Sequence, residues 1–272
     1  MNSQQSIHRV SHEIKRRKLQ VLRVTDLTPR MRRVTLHGPE LTGFISLGTD
    51  DHVKLLFATT PQEQAALDSF MPGQNSEGPK PAMRDYTPRR YDAASGELDI
   101  DFVAHGDEGP ATRWAQRAEA GSFLGFLGPS EPKITEFYAD WYLIAADLSA
   151  MPVAEATLEA MPADARGVAV FEVPSKDDIR EVAMPANVEV HWLIQEDIHS
   201  PSTAQIDFVR ALDWPAGTVQ TCIAGESSVI RAFRDHLHNE LGVPKKDTYI
   251  SGYWKIGLVE DEHQKMKRAE AA

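Results

Sequence analysis

"MRDYTPRRYD", residues 83–92, alternates charge with tyrosine around a proline. It is too polar for a core strand and too patterned for a linker. A second stretch, "DFVAHGDEGPATRWA" at 101–115, reads as a strand running into a Gly/Pro turn and then a helix that starts near Pro110, since proline is tolerated in a first helical turn. Backbone N–H groups at a helix start form an anion site, and Gly106 and Gly109 allow close approach. Thr112 adds a hydroxyl. A pyrophosphate suits this arrangement, with Arg84 as its cation if the two strands are neighbours. Tyr86 can then stack on an aromatic ring while Thr87 offers a hydrogen bond to a ring heteroatom. Taken singly, an Arg–Asp-rich strand end is a solvated edge; the two stretches together, followed by the pattern below, are specific.

Outward from this pair the chain has two rhythms. Through about residue 137 short alternating runs read as strands between Gly, Pro and Asp signals: "LQVLRVTDLT", "RRVTLHG", "HVKLLFATT", "ELDIDFVAH" and "SFLGFLGP". This density predicts an antiparallel sheet or barrel. "GPELTGFISLGTDD" and the longer "TTPQEQAALDSFMPGQNSEGPKPAM" read as loops. From Trp141 onward, buried-strand runs ("WYLIAAD", "GVAVFEV", "VEVHWLI", "TVQTCIAG") alternate with helical stretches ("SAMPVAEATLEAM", "TAQIDFVRALDW", "SSVIRAFRDHLHNEL"). That alternation predicts a mostly parallel sheet with crossover helices, which binds ligands at the carboxyl ends of its strands.

The 272 residues suffice for two domains of ordinary size, and 42% hydrophobic with 25% charged residues is ordinary for a globular protein. A formal charge of −11 argues against nucleic acid or an anionic membrane as the main partner. Cys222, the sole cysteine, excludes an intramolecular disulfide and an iron–sulfur cluster held by four thiolates of this chain. The first twenty residues hold no signal-peptide core, and no apolar run approaches the roughly 18 residues of a membrane span. A cytoplasmic protein is the expectation.

"RDYTPRRYD", "DFVAHGDEGPATRWA", "GPSEP", "AGE" and "SGYWK" together resemble the siderophore-interacting proteins, flavin-dependent ferric-siderophore reductases of the ferredoxin-reductase-like superfamily. The similarity runs from "LQVLRVTDLTPRMRRVTL" to "GYWK". It implies an FAD-binding Greek-key β-barrel at 1–137, an NAD(P)H-binding α/β domain at 138–257, and a polar tail or helix at 258–272. Arg84 would contact an FAD phosphate, Tyr86 pack on the isoalloxazine, and Thr87 reach its edge near N5. His105 through Thr112, including Gly109, Pro110 and Ala111, would hold the pyrophosphate, and Asp101, Phe102 and Val103 join the cofactor-binding set. In the second domain Asp147 and Glu226 are the nicotinamide-site candidates. The family pattern Gly-Asp-Glu-Thr-Ala is replaced here by Ala146, Asp147 and Leu148 with Ser149, and Glu226 reads equally as part of a helix N-cap.

The resemblance further implies a ferric siderophore as substrate, with NADH or NADPH as donor. Glu172 favours a ribose diol and Lys176 a 2′-phosphate, so the two point opposite ways. Hydride would pass from nicotinamide to flavin, and single electrons from flavin to iron, with no side-chain acid or base required. Fe(II) is held more weakly by hard oxygen ligands, so reduction amounts to release. An anionic chelate needs a local basic cluster to offset the overall charge. Lys54, Lys133 (near Ser130, where the family often has a base) and Lys255 are the candidates. The alternatives are a ferredoxin-reductase-like flavoprotein serving a protein partner, and a non-enzymatic flavin- or siderophore-binding protein.

Overall fold

The computed structural model describes residues 8–9, 14–46, 48–67, 80–104, 109–129, 133–134, 136–258 and 262. The chain divides into two compact units, His8–Ile134 and the part from Thr135 onward.

The first unit holds β1 (His8–Arg9), β2 (Arg16–Thr28), β3 (Met31–His37), β4 (Val53–Phe57), β5 (Ala82–Tyr86), β6 (Arg90–Asp92), β7 (Glu97–Val103), β8 (Phe123–Leu127) and β9 (Lys133–Ile134), with helices α1 (Pro61–Ala66) and α2 (Pro110–Arg117). Seven strands form one antiparallel sheet in the order β5-β4-β8-β2-β3-β7-β6, and β1 pairs with β9. Alternation along each strand sends one side chain in two to the core. Val53, Leu55 and Phe57 of β4, Leu98, Ile100 and Phe102 of β7, and Leu124 and Phe126 of β8 meet there, each 2% exposed or less. The sheet curls so that its two ends approach: the Tyr86 ring on edge strand β5 lies 4.5 Å from Phe102 on β7, although neither strand hydrogen-bonds the other.

The long segment expected to be loop contains α1. Its signal is a capping box. Glu63 N–H donates to Thr60 Oγ1 (3.2 Å), and Thr59 N–H donates to Glu63 Oε2 (2.6 Å). Pro61 opens the helix, and the rest of that segment, 68–79, lies outside the described residues.

The second unit holds β10 (Trp141–Asp147), α3 (Met151–Ala160), β11 (Arg166–Val173), β12 (Asn187–Ile194), α4 (Ala204–Arg210), β13 (Val219–Glu226), α5 (Ser227–Arg234) and β14 (Thr248–Trp254). Its five strands run parallel in the order β12-β11-β10-β13-β14. Buried Leu143, Ala145, Val170 and Ile223 of the central strands pack against Ile206 and Val209 of α4 and Ile230 and Phe233 of α5. The antiparallel half-barrel followed by a parallel α/β sheet is the fold class expected from the two rhythms. No helix among the described residues is long and apolar enough to cross a membrane. Of the polar tail after Gly257, only Leu258 and Glu262 are described.

Candidate functional site

β5 hydrogen-bonds only β4 within its sheet, in the register Val53↔Tyr86, Lys54↔Asp85, Leu55↔Arg84. Alternation therefore places Arg84 and Tyr86 on the core-facing side with Leu55 and Val53, and Met83 and Asp85 on the other. Arg84 is half-buried, and its Nη1 donates to the Met83 carbonyl (2.8 Å). Tyr86 is half-buried and backed by an aromatic run. Phe102 lies beside it, Trp114 of α2 is 5.5 Å from Phe102, and Phe57 is 6.0 Å from Trp114. Thr87 and Arg89, immediately after the strand, are both 8% exposed, and the Arg89 N–H donates to the Asp99 carbonyl (2.9 Å).

β7 leads from this aromatic run toward α2. Phe102 faces the core, while Asp101, on the other face of the strand and also buried, accepts from Arg33 with both carboxylate oxygens, at 2.6 and 2.7 Å. That bond holds the Arg33 guanidinium above its ordinary pKa. What Asp101 can offer a ligand is therefore its backbone. Val103 is half-buried, and its carbonyl accepts from Thr112 Oγ1 (3.4 Å).

At the start of α2 no described side chain caps the helix. Pro110 occupies the first turn and Gly109 sits at φ +100°, a conformation that favours glycine. A Cβ built on Gly109 meets no described atom within 4 Å. Helix-start N–H groups of this kind attract anions. The donor set fits a dinucleotide: backbone N–H groups and a guanidinium for a diphosphate, and a backed tyrosine ring for a flat aromatic system. His105 lies outside the described residues. So does the Lys133 side chain, of which only the strand pairing with Arg9 is described.

Lys54 points to the opposite sheet face from Arg84 and Tyr86. Its Nζ lies 2.5 Å from Asp85 Oδ1, so its charge has a close counterion. Lys255 is half-buried and belongs to the second unit.

In that unit the carboxyl edge of the sheet gathers three acids. Asp147 ends β10. Its Oδ1 accepts from the Ser149 N–H (2.9 Å) and hydroxyl (2.6 Å) and from the Ala150 N–H (3.3 Å). Its Oδ2 accepts from Trp254 Nε1 (2.7 Å). Desolvation pushes this carboxyl above the usual carboxylate range against the pull of those donors. Glu226 ends β13 at 7% exposure and caps α5: its Oε2 accepts from the Ser228 N–H (2.6 Å), the Ser228 hydroxyl and the Val229 N–H (3.3 Å). Its Oε1 accepts from the Ile256 N–H (3.2 Å).

Glu172 of β11 stands in register with Asp147 and accepts from Ser202 Oγ (2.7 Å). Burial, and then the charge of Asp147, raise its pKa. Between Asp147 and Glu226 lies Gly225 at φ +150°, where a Cβ would come within 2.6 Å of Asp147 Oδ2. Asp147 and Glu226 thus direct their carboxylates to donors of their own chain.

The sequence reading did not single out Trp114 or Trp254. "TRWA" and "GYWK" were quoted for their motifs, but their rings' partners, Phe102 and Asp147, follow only from the packing.

Two family models match the chain: the siderophore-interacting FAD-binding domain over residues 20–133 and the siderophore-interacting protein model over 139–257. The ferric vibriobactin reductase of Vibrio cholerae is 34% identical over 264 residues, 93% of this chain and 96% of that one. An NADPH-dependent ferric-chelate reductase of Escherichia coli is 39% identical over 257 residues, 90% and 95% of the two chains. The crystal structure of a siderophore utilization protein from T. fusca superposes with a TM-score of 0.83 at 33% identity, covering 93% of this chain and 98% of that one.

Proposed function

Since this chain belongs to the siderophore-interacting protein family, we propose that it is an FAD enzyme that uses NADH or NADPH to reduce Fe(III) in a siderophore and so release Fe(II). The observation that carries this reading is the joining of two motifs far apart in the sheet. The Arg84–Tyr86 face of β5 meets β7 at Phe102, and α2, whose start has no side-chain cap among the described residues, is the next element after β7.

Arg84 and the N–H groups of Ala111 and Thr112 would hold the FAD diphosphate, with Gly109 and Pro110 shaping the approach. Tyr86, backed by Phe102, would pack on the flavin, Thr87 would contact its edge, and Asp101 fixes β7 through Arg33. FAD, when bound, supplies the step-down from a two-electron donor to a one-electron acceptor, which no side chain provides. At the sheet edge of the second unit, Asp147 and Glu226 position the turn and the helix start that border the nicotinamide. The ferric chelate is the substrate, and Lys255, Lys54 and Lys133 are its proposed cationic contacts. The Asp85 partner makes Lys54 the weaker attractor of an anionic chelate.

The test is an anaerobic reaction in two stages. Purified FAD-loaded protein should bleach on adding NADH or NADPH, then regain its oxidised spectrum on adding a ferric siderophore, yielding two ferrous ions per flavin in a ferrous-specific trap. A flavin that stays oxidised would mark a binder. A reduced flavin that ignores ferric chelates would mark a reductase for a protein partner.

A further inference from the structure

At the far end of the second unit, away from the carboxyl edge, α5 and β14 flank a groove of about 480 Å3. Thr248 opens β14 and lies six residues before Trp254, roughly 20 Å along the strand. The groove is lined by Arg231 and Arg234 of α5, Lys245, His238, Asn239 and Thr248, with Ile250 as its apolar wall. Three cations face one acid, Asp235, in a chain whose net charge is −11.

Its wall is irregular. After Arg234 the helix widens into a π turn over Asp235–Glu240, closed by the Leu241 N–H donating to the His236 carbonyl five residues back (3.0 Å). Such turns are rare and concentrate at functional sites. The polar groups around the groove are held in place. Arg234 Nη2 donates to the Ile250 carbonyl (2.9 Å), and Thr248 Oγ1 donates to the Lys245 carbonyl (3.0 Å). Asn239 Nδ2 donates to Asp235 Oδ1 (2.7 Å), which holds the acid to the π turn. His238 Nδ1 lies 3.0 Å from the Val243 carbonyl, an acceptor only, so Nδ1 carries the proton.

We propose that this groove binds a small phosphorylated ligand through its phosphate group. Two guanidinium forks on one helix, with a lysine point charge beside them, suit a tetrahedral oxyanion of high charge. The volume is that of a small-molecule site rather than of a bare ion. The groove lies at the end of the parallel sheet opposite the carboxyl edge, and its existence does not depend on the proposed reaction.

The test uses the FAD-loaded protein saturated with NADP+, so that both dinucleotide sites are filled, and inorganic pyrophosphate as probe at fixed ionic strength. Calorimetry should show one saturable site. NMR shifts should be largest at the Asn239 side-chain amide and the Thr248 amide. The double change Arg231→Ala with Lys245→Ala should weaken binding at least about tenfold with FAD content unchanged, and Arg231→Lys with Lys245→Arg should largely restore it. The absence of saturable binding, equal affinity in the alanine variant, or shifts confined to other residues would each overturn the assignment.

Discussion

The start of α2 and the start of α5 are both helix N-termini placed after a β-strand, and they treat their N–H groups in opposite ways. At α5 the chain supplies its own anion: Glu226 caps Ser228 and Val229 and also reaches Ile256. At α2 glycine and proline stand where a capping side chain would be, and the space before Gly109 is open to the described atoms. The first arrangement satisfies its N–H groups from its own chain; the second leaves them without a side-chain cap among the described residues. Asp147 is likewise enclosed by four donors, while Arg84 and Tyr86 stand half-buried on an edge strand.

The largest expected effect follows from removing a self-satisfied acid. Asp147→Ala strands the Trp254 indole N–H and the Ser149 N–H, and Glu226→Ala removes a cap and the Ile256 acceptor. Each should cost on the order of 2–4 kcal/mol, read as a lower urea midpoint of the second unit with FAD affinity unchanged. A parallel loss of FAD would break the division of labour between the two helix starts.

A smaller effect concerns Lys54 and Asp85. Because the pair is partly exposed, it is worth at most about 1 kcal/mol and is screened by salt. Lys54→Ala, which uncovers Asp85, should raise KM for a triscatecholate ferric chelate, and Asp85→Asn, which uncovers the lysine, should lower it, each at most severalfold at low salt and less at high salt. Changes of the same sign from both variants would contradict the pairing.

The smallest effect is a pH dependence. Folding raises the Glu172 pKa, so the folded protein binds a proton here more tightly than the unfolded chain. Stability from this group is complete below the ordinary glutamate range and declines as pH climbs to the raised value. Glu172→Gln, which keeps an acceptor for Ser202, should be slightly more stable than the parent at neutral pH, and the gain should vanish below about pH 4. Thermal melts across that range check the sign, and a gain that grows on acidification would contradict it.

Much of this was legible in the sequence. Period-two runs marked β2, β3, β4, β7 and β8, and the strand–helix alternation marked the parallel sheet. Arg84 and Tyr86 lie two residues apart, so sharing a face follows from their spacing alone. That Tyr86 meets Phe102 does not, because sheet closure joins strands that never pair. The Lys54–Asp85 bond needs the β4–β5 register, which the intervening segment hides. Thr60, Pro61 and Glu63 spelled out a helix start, but the Pro/Gly/Ser-rich composition around them argued for loop. Whether a carboxylate at a strand end serves a ligand or its own backbone depends on which donors fold toward it. Asp147 and Glu226 are nicotinamide-site candidates by sequence, Glu226 reading equally as part of a helix N-cap; which donors their carboxylates accept from is visible only in the structure.

The central claim is that the β5 face and the start of α2 hold the FAD diphosphate, and Arg84 tests it most directly. Apoprotein carrying Arg84→Ala, titrated with FAD by flavin fluorescence, should bind about ten- to a hundredfold more weakly than the parent, the loss of one charge-assisted phosphate contact, while its urea midpoint stays unchanged. Parent-like FAD affinity in a correctly folded Arg84→Ala protein would contradict the account.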